Sequence, residues 1–334
     1  MKNLQFYAKI FMQTAVAACF LCQCNSVTTK NKPKQSIKIN IEKEPQTMDP
    51  RYAYTINDIN LMRIFWDGLM RVAGDGLLTT AIAENYTISQ DEKIYSFKLK
   101  NTQWSNGDQI TANDFIYSWK KTLSPDSHSK HSSLLYAIKN GKHINEGNLP
   151  MSMLGIHSDD DYTLTIELEN PTPYFLELLA MPVYYPINKK VDFENPDWFK
   201  DSSTYISSGP FAISDWKSND HIIAKKNLFY WDNNVVKLNK IEMIMVDSET
   251  GHSMFENNKL DWQGSIYPMA SNSLINTHTI SNNQERPDYL KYIDTVSSAT
   301  TPQNYVIHLQ NNKLKGVTAT DSGVIDFKTA YIDI

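Results

Sequence analysis

Between Ala83 and Pro125 the alternation of polar and apolar positions changes period. Tyr95, Phe97 and Leu99 alternate with polar residues, which predicts a strand with one buried face. Asn106-Gly107 follows, a dipeptide in which both residues tolerate positive φ, so a tight turn is expected there. Ala112, Phe115, Ile116, Trp119 and Leu123 then recur at helical spacing. Thr111 stands three residues before Asp114, a capping-box-like start with an acid in the first turn. Lys120 and Lys121 fall on the wet side of that helix. Read locally, the stretch is strand, turn and amphipathic helix. None of it is chemistry.

The same reading extends along the chain. Ile37, Ile39 and Ile41 alternate as a first strand, and Ile59 to Leu69 is apolar enough for a buried helix. Leu134 to Ile144 has the pattern of a further helix, ending near Gly147. Tyr162, Leu164, Ile166 and Leu168 predict a strand, and the preceding Asp159-Asp160-Asp161 reads as a hairpin turn. That acidic run lacks the spaced acids and the glycine of a calcium loop. Phe175 to Met181 predicts a short helix stopped by Pro182. Ile222 with Ala224, and Ile241 with Met243 and Met245, add strands. The fold class expected is mixed α/β.

The N-terminus reads differently from the rest. Met1 to Lys9 is a short positive segment and Ile10 to Cys22 a mostly apolar one, too short to span a membrane. Val16-Ala17-Ala18-Cys19 fits a lipoprotein signal, in which small residues precede the cysteine that takes the lipid. Leu21-Cys22-Gln23-Cys24 is a second candidate, and simple cleavage without lipid is a third outcome. Each exports the chain. Residues 1–18 are therefore expected to be a signal peptide, with 19–36 a tether carrying Lys30, Lys32, Pro33 and Lys34. All three cysteines lie at positions 19, 22 and 24, which excludes a disulfide framework for the body. The formal charge of −5, with no Lys/Arg cluster, argues against a nucleic-acid partner.

Candidate chemistry is sparse. The chain contains no P-loop, no His-Glu-x-x-His, no Gly-x-Ser-x-Gly and no Gly-x-Gly-x-x-Gly. His128 and His131 are close enough in sequence to share a metal on a helix, yet they sit in a polar stretch without a third ligand, so they read as solvated loop histidines. No catalytic residue, metal site or cofactor is expected, and the chain is not read as an enzyme.

The ordered motifs carry more than their local geometry. Ala83-Glu84-Asn85-Tyr86, the strand Phe97-Lys98-Leu99, Trp104-Ser105-Asn106-Gly107 and Thr111-Ala112-Asn113-Asp114-Phe115 stand in series. Upstream lie Glu44-Pro45-Gln46-Thr47-Met48-Asp49-Pro50 and Phe65-Trp66-Asp67-Gly68-Leu69; downstream lie Asp161 to Leu168, Pro173-Tyr174-Phe175, Ser208-Gly209-Pro210-Phe211 with Trp216, and Tyr230-Trp231-Asp232. From about Ile37 to about Leu274 this series resembles the solute-binding proteins of oligopeptide and dipeptide ABC importers, the extracellular solute-binding protein family 5. The resemblance implies a periplasmic-binding-protein-like fold of type II, cluster C. It implies an exported protein of the periplasm, attached to a bacterial membrane by a lipid anchor. Its partners would be an oligopeptide ligand and an ABC permease. In such proteins the ligand's main chain adds like a strand, and roomy wet pockets take the side chains. By that resemblance Tyr52, Tyr54 and Ile56 line the cleft, His131 presents a ring to it, and Ser208-Gly209-Pro210 marks a turn where backbone approaches ligand.

The C-terminal stretch, Tyr305 to Val317 with Gly323 to Phe327, resembles the far C-terminus of the same family. The family's intervening segment, which forms most of its second lobe, has no counterpart here. The expected organisation is a first lobe from 37–64, 191–275 and 303–334, a small extra domain from 65–190, and a junction at 276–302 in place of the second lobe. The function expected is peptide capture for a permease by an internally truncated, weak or inactive form. The alternatives are a lipoprotein interaction module and a decayed gene product, neither of which binds solute.

Overall fold

The computed structural model describes residues 35–73, 76–265, 307–319 and 325–333. Its strands in chain order begin with β1 (Ser36–Asn40), β2 (Met70–Val72), β3 (Leu78–Thr80), β4 (Ala83–Ile88), β5 (Ile94–Leu99), β6 (Ile156–Asp160) and β7 (Thr163–Glu167). They continue with β8 (Phe211–Lys217), β9 (His221–Lys226), β10 (Lys240–Ile244), β11 (Trp262–Ser265) and β12 (Ile307–Gln310). The helices are α1 (Ile56–Phe65), α2 (Ala112–Thr122), α3 (Gly141–Asn145), α4 (Phe175–Leu178), α5 (Lys189–Glu194) and α6 (Ser248–Glu256). The mixed α/β class expected from the sequence is the one observed.

Two sheets organise the chain. The larger has the order β12-β11-β1-β10-β9-β8. β1 lies at its centre and runs parallel to both neighbours, with Ile37 opposite Ile241 and Ile39 opposite Met243 and Trp262. Ile37 and Ile39 are buried while Lys38 between them stays partly exposed, so β1 shows the alternation predicted. β12 returns antiparallel to β11, pairing Gln310 with Trp262 and Gln263 with Leu309. The smaller sheet, β4-β5-β7-β6, is entirely antiparallel. On β5 the buried residues are Tyr95, Phe97 and Leu99, the alternation predicted. Gly107, at φ 91, closes the following turn by donating its N–H to the Trp104 carbonyl at 2.8 Å.

Helix α2 buries the predicted face. Phe115 and Trp119 have no exposed surface, and the Trp119 ring packs edge-on to Tyr184 with centroids 5.5 Å apart. Its Nε1 donates to the Tyr184 carbonyl at 2.9 Å. At the N-terminus the Asp114 carboxylate accepts the Thr111 N–H at 2.9 Å.

Three predicted helices come out shorter, among them α4, which ends at Leu178 where Met181 was expected. α1 stops at Phe65 because Trp66 turns extended, at φ −135 and ψ 147. That turn sends the Trp66 ring into a cluster with Trp104 and Trp198, where its Nε1 donates to the Tyr205 hydroxyl at 2.6 Å. A continuous apolar run such as 64–66 carries no period that could have shown this. The stretch from Leu134 to Ile144 is a 3₁₀ turn at Ser132–Ala137 followed by α3. Ile138 is extended where it bridges Leu168, and Asn140 has φ 63, so the helix is broken between them.

Candidate ligand-binding cleft

The parallel strands β1, β10 and β11 all end on one side of the large sheet, the side where α/β proteins place their ligand crevices. A pocket of about 280 Å³ lies there, walled by the end of β1, residues 41–46, the first turns of α1, Trp262, Ile325 and Phe327. Its apolar wall is Ile39, Ile41, Ile56, Leu61, Ile64 and Trp262.

Asn40 shapes the exit from β1. Its side chain donates to the Val246 carbonyl at 3.0 Å, while its Oδ1 accepts the N–H groups of Val246 at 3.2 Å and Glu42 at 2.9 Å. The chain then reverses at Glu42, which sits at φ 66 with the Lys43 N–H bonded back to the Ile41 carbonyl at 2.8 Å. That is γ-turn geometry on a non-glycine residue, a strained conformation of the kind that gathers at binding sites. Thr55 starts α1 by accepting the Asp58 N–H at 3.1 Å. Asp58 in turn accepts the Gln46 N–H on Oδ1 at 3.2 Å, which closes the loop against the helix. The Tyr54 hydroxyl donates to the Gln46 side chain at 2.7 Å and forms part of the rim.

Three acids and one lysine line the pocket, and only some are engaged. Glu44 is held by Trp216 Nε1 at 2.7 Å and the Asn219 N–H at 2.5 Å. Burial pushes the Glu42 carboxyl above its usual range, opposed by neighbouring Lys43. One oxygen of Glu42 and Oδ2 of Asp58 have no hydrogen-bond partner among the described residues.

The residues singled out in the sequence divide accordingly. Ile56 lines the pocket. Tyr54 touches it through Gln46, while Lys130 lies over the Tyr54 ring at 3.6 Å from the centroid. Tyr52 stacks against Arg51. His131, next to Lys130, is outside the pocket wall, and burial lowers its pKa, aided by Lys130. These residues come together because Ser129 donates to the Arg51 carbonyl at 2.6 Å. Arg51 is itself fixed by Asp49 and by Asp192, whose second partners are Tyr117 and Trp198. Burial works against the Asp192 charge, yet its hydrogen bonds and the Arg51 guanidinium hold the carboxyl below its usual range.

Ser208, Gly209 and Pro210 are placed elsewhere. All three are buried, and a close approach that demands glycine is made there by the protein's own backbone. A Cβ on Gly209 would lie 2.4 Å from the Trp66 nitrogen and 2.7 Å from the Phe65 oxygen. Ser208 ties the same corner through both the N–H and the carbonyl of Asp67. Cys19 and Cys24 lie outside the described residues.

Sequence reading missed Glu42, Asp58, Trp262, Ile325 and Phe327 as cleft residues. Thr55 three residues before Asp58 is a helix-start signal that would have placed Asp58 in the first turn of α1. No local signal places Ile325 or Phe327 beside that helix.

Comparison with known proteins agrees with this geometry. The profile of bacterial extracellular solute-binding proteins, family 5 middle region, matches residues 78–328. The oligopeptide-binding protein OppA of Bacillus subtilis is 38% identical over 237 residues, covering 70% of this chain and 44% of its own length. The dipeptide-binding protein DppE of the same organism is 36% identical over 234 residues, covering 70% of this chain and 43% of its own. The structure of Listeria monocytogenes OppA bound to peptide superposes with a TM-score of 0.67 at 34% identity, over 69% of this chain and 46% of that one. The chain thus spans less than half the length of these relatives. It belongs to the bacterial extracellular solute-binding proteins of family 5 and has their type II periplasmic-binding-protein fold.

Proposed function

We propose that this chain captures peptides outside the cytoplasm for an ABC importer, and that it does so with one lobe where its relatives have two. The observation that carries the reading is the pocket at the carboxyl ends of β1, β10 and β11, with a strained strand exit and part-apolar walls. Relatives with the same fold are peptide-binding proteins by name, and one is seen with peptide bound. Ile56 and Tyr54 are the cleft residues in this reading, Tyr52 and His131 support the rim, and Ser208 to Pro210 hold the fold. The organisation follows: a first lobe from 37–64, 191–275 and 303–334, a small extra domain from 65–190, and a junction at 276–302. Antiparallel pairing of β11 with β12 supports it, because the chain leaves the large sheet and re-enters it on neighbouring strands. Cys19, or alternatively Cys24, carries the lipid that holds the protein at the membrane.

A second lobe closing on a ligand excludes water and strengthens polar contacts on both walls. With one wall, an extended peptide keeps one face in solvent, so affinity is expected no tighter than high micromolar. Calorimetric titration with a mixed tri- to pentapeptide pool measures it. Complete absence of binding would remove the peptide reading. Sub-micromolar binding would remove the one-lobed reading. The anchor is tested separately by fractionation, since Cys19→Ser should release the protein from membranes and Cys24→Ser should not. A single chain anchors only reversibly, so release should be clear once acylation is lost.

A further inference from the structure

We propose that the pocket selects ligands carrying a cation on an aliphatic stem, of the lysine side-chain type, which it holds on Asp58 with help from Glu42. The proposal deepens the peptide-capture reading and rests on it for the identity of the carrier, though not for the cation subsite itself.

Asp58 is 1% exposed, lines the pocket, and has Oδ2 without a partner among the described residues. A buried carboxylate oxygen left unsatisfied is costly, so an unpaired one on a residue that lines a cavity is suited to take a donor that enters there. Its other oxygen is fixed by the Gln46 N–H, so the free one is held in place. Glu42 lines the same pocket and has a second unpartnered oxygen, on a backbone turned to φ 66. No neighbouring cation pairs with either oxygen among the described residues. Lys43 adjoins Glu42 and acts on its charge, yet leaves that oxygen unpaired. Arg63 lies five residues after Asp58, roughly 140° round the helix, where its charge acts on Tyr185 and its backbone carbonyl accepts from Arg71. Glu44 is engaged by Trp216 and Asn219 and does not compete.

The rest of the wall fixes the ligand class. Ile41, Ile56, Leu61 and Ile64 offer apolar surface beside the acids. A bare metal ion would gain nothing from them, whereas a lysine-type side chain buries its methylene stem and delivers its charge to the carboxylates.

The test compares Ala-Lys-Ala with Ala-norleucine-Ala, equal in stem and different in charge, by calorimetry on the full chain. The lysine peptide should bind about tenfold to a hundredfold tighter, the worth of one charge-assisted hydrogen bond. Asp58→Asn keeps the acceptor for the Gln46 N–H and should bring that ratio near one; Glu42→Gln should lower it less. Equal affinities, or a ratio unmoved by Asp58→Asn, overturn the proposal. A second arm keeps it separable from the peptide reading. Addition of n-butylammonium should shift the Asp58 carboxyl carbon resonance, and n-butanol should not. If butylammonium shifts Asp58 while no peptide binds, peptide capture fails and the cation subsite stands. If peptide binds and butylammonium leaves Asp58 unmoved, the subsite fails and peptide capture stands.

Discussion

Arg71 and Asp326 stand 255 positions apart, yet Nε of Arg71 donates to Oδ2 of Asp326 across 3.1 Å in the buried interior. Arg71 also reaches Asp67, which in turn accepts from the Tyr230 hydroxyl at 2.6 Å and from Trp231 Nε1 at 3.0 Å. The contact pins the segment after Ile325 to the element that follows α1. Neighbouring bonds do the same. The Ile325 N–H reaches the Asn60 side chain at 3.1 Å, and Gln35 exchanges two hydrogen bonds with Ile332. Two walls of the cleft, α1 and Ile325 with Phe327, are thereby tied together.

This pairing predicts an order of stabilities. Arg71→Met strands the Asp67 and Asp326 carboxylates in the interior and should cost about 3–5 kcal/mol, the usual loss when one partner of a buried pair is removed. Asp326→Asn should cost less, because Arg71 keeps Asp67. Urea midpoints of the two variants check the order, and the reverse ranking would show that Asp67 does not share the charge.

Trp119 is wholly buried between Phe115 and Tyr184. Trp119→Ala should destabilise by about 3–5 kcal/mol, as large-to-small core changes do. Trp119→Phe keeps most of the ring and loses the bond to the Tyr184 carbonyl, a cost of about 1–3 kcal/mol. Thermal melts of both variants measure the split between packing and hydrogen bond.

Gly209→Ala separates a structural glycine from a ligand-facing one. The new methyl would press on backbone atoms of Phe65 and Trp66, which have nowhere to move. The expected loss is at least the ~1–3 kcal/mol typical of overpacking. A variant of unchanged stability but weakened peptide binding would return Gly209 to the cleft.

Asp114 gives a pH signature. Burial pushes its carboxyl from 3.8 up to about 6, against hydrogen bonds from Thr111, Lys189 and Trp104. The folded state therefore holds this proton more tightly than the unfolded chain. Its contribution to stability is complete below pH 3.8 and is lost as pH rises through about 6. Relative to Asp114→Asn, the natural protein should lose stability across that window. Denaturation midpoints of both proteins on either side of it are the measurement. A difference that stays constant with pH would show that Asp114 titrates normally.

The local elements were legible because their causes are local. The alternation of Tyr95, Phe97 and Leu99, the face of Phe115 and Trp119, and the isoleucines of β1 each follow from which side of one element meets the core. Asn106-Gly107 follows from backbone sterics alone. The ordered motifs from Ile37 to Leu274 carried the family for a similar reason, since each is a turn, cap or strand that sequence specifies directly. The early end of α1 at Trp66 and the break at Ile138 were not legible. An aromatic cluster from three distant segments decided the first, and a bridge to Leu168 the second.

The cleft divides along the same line. The sequence by itself determined the family, through ordered motifs such as Glu44 to Pro50 and Phe65 to Leu69. Only the tertiary structure decided that Asp58 and Glu42 share a pocket with Trp262 and Phe327, and that Gly209 serves the fold. Those relationships join residues up to hundreds of positions apart through burial and ion pairing. Such interactions depend on distance in space, and hydrophobic periodicity reports only which face of its own element each residue occupies.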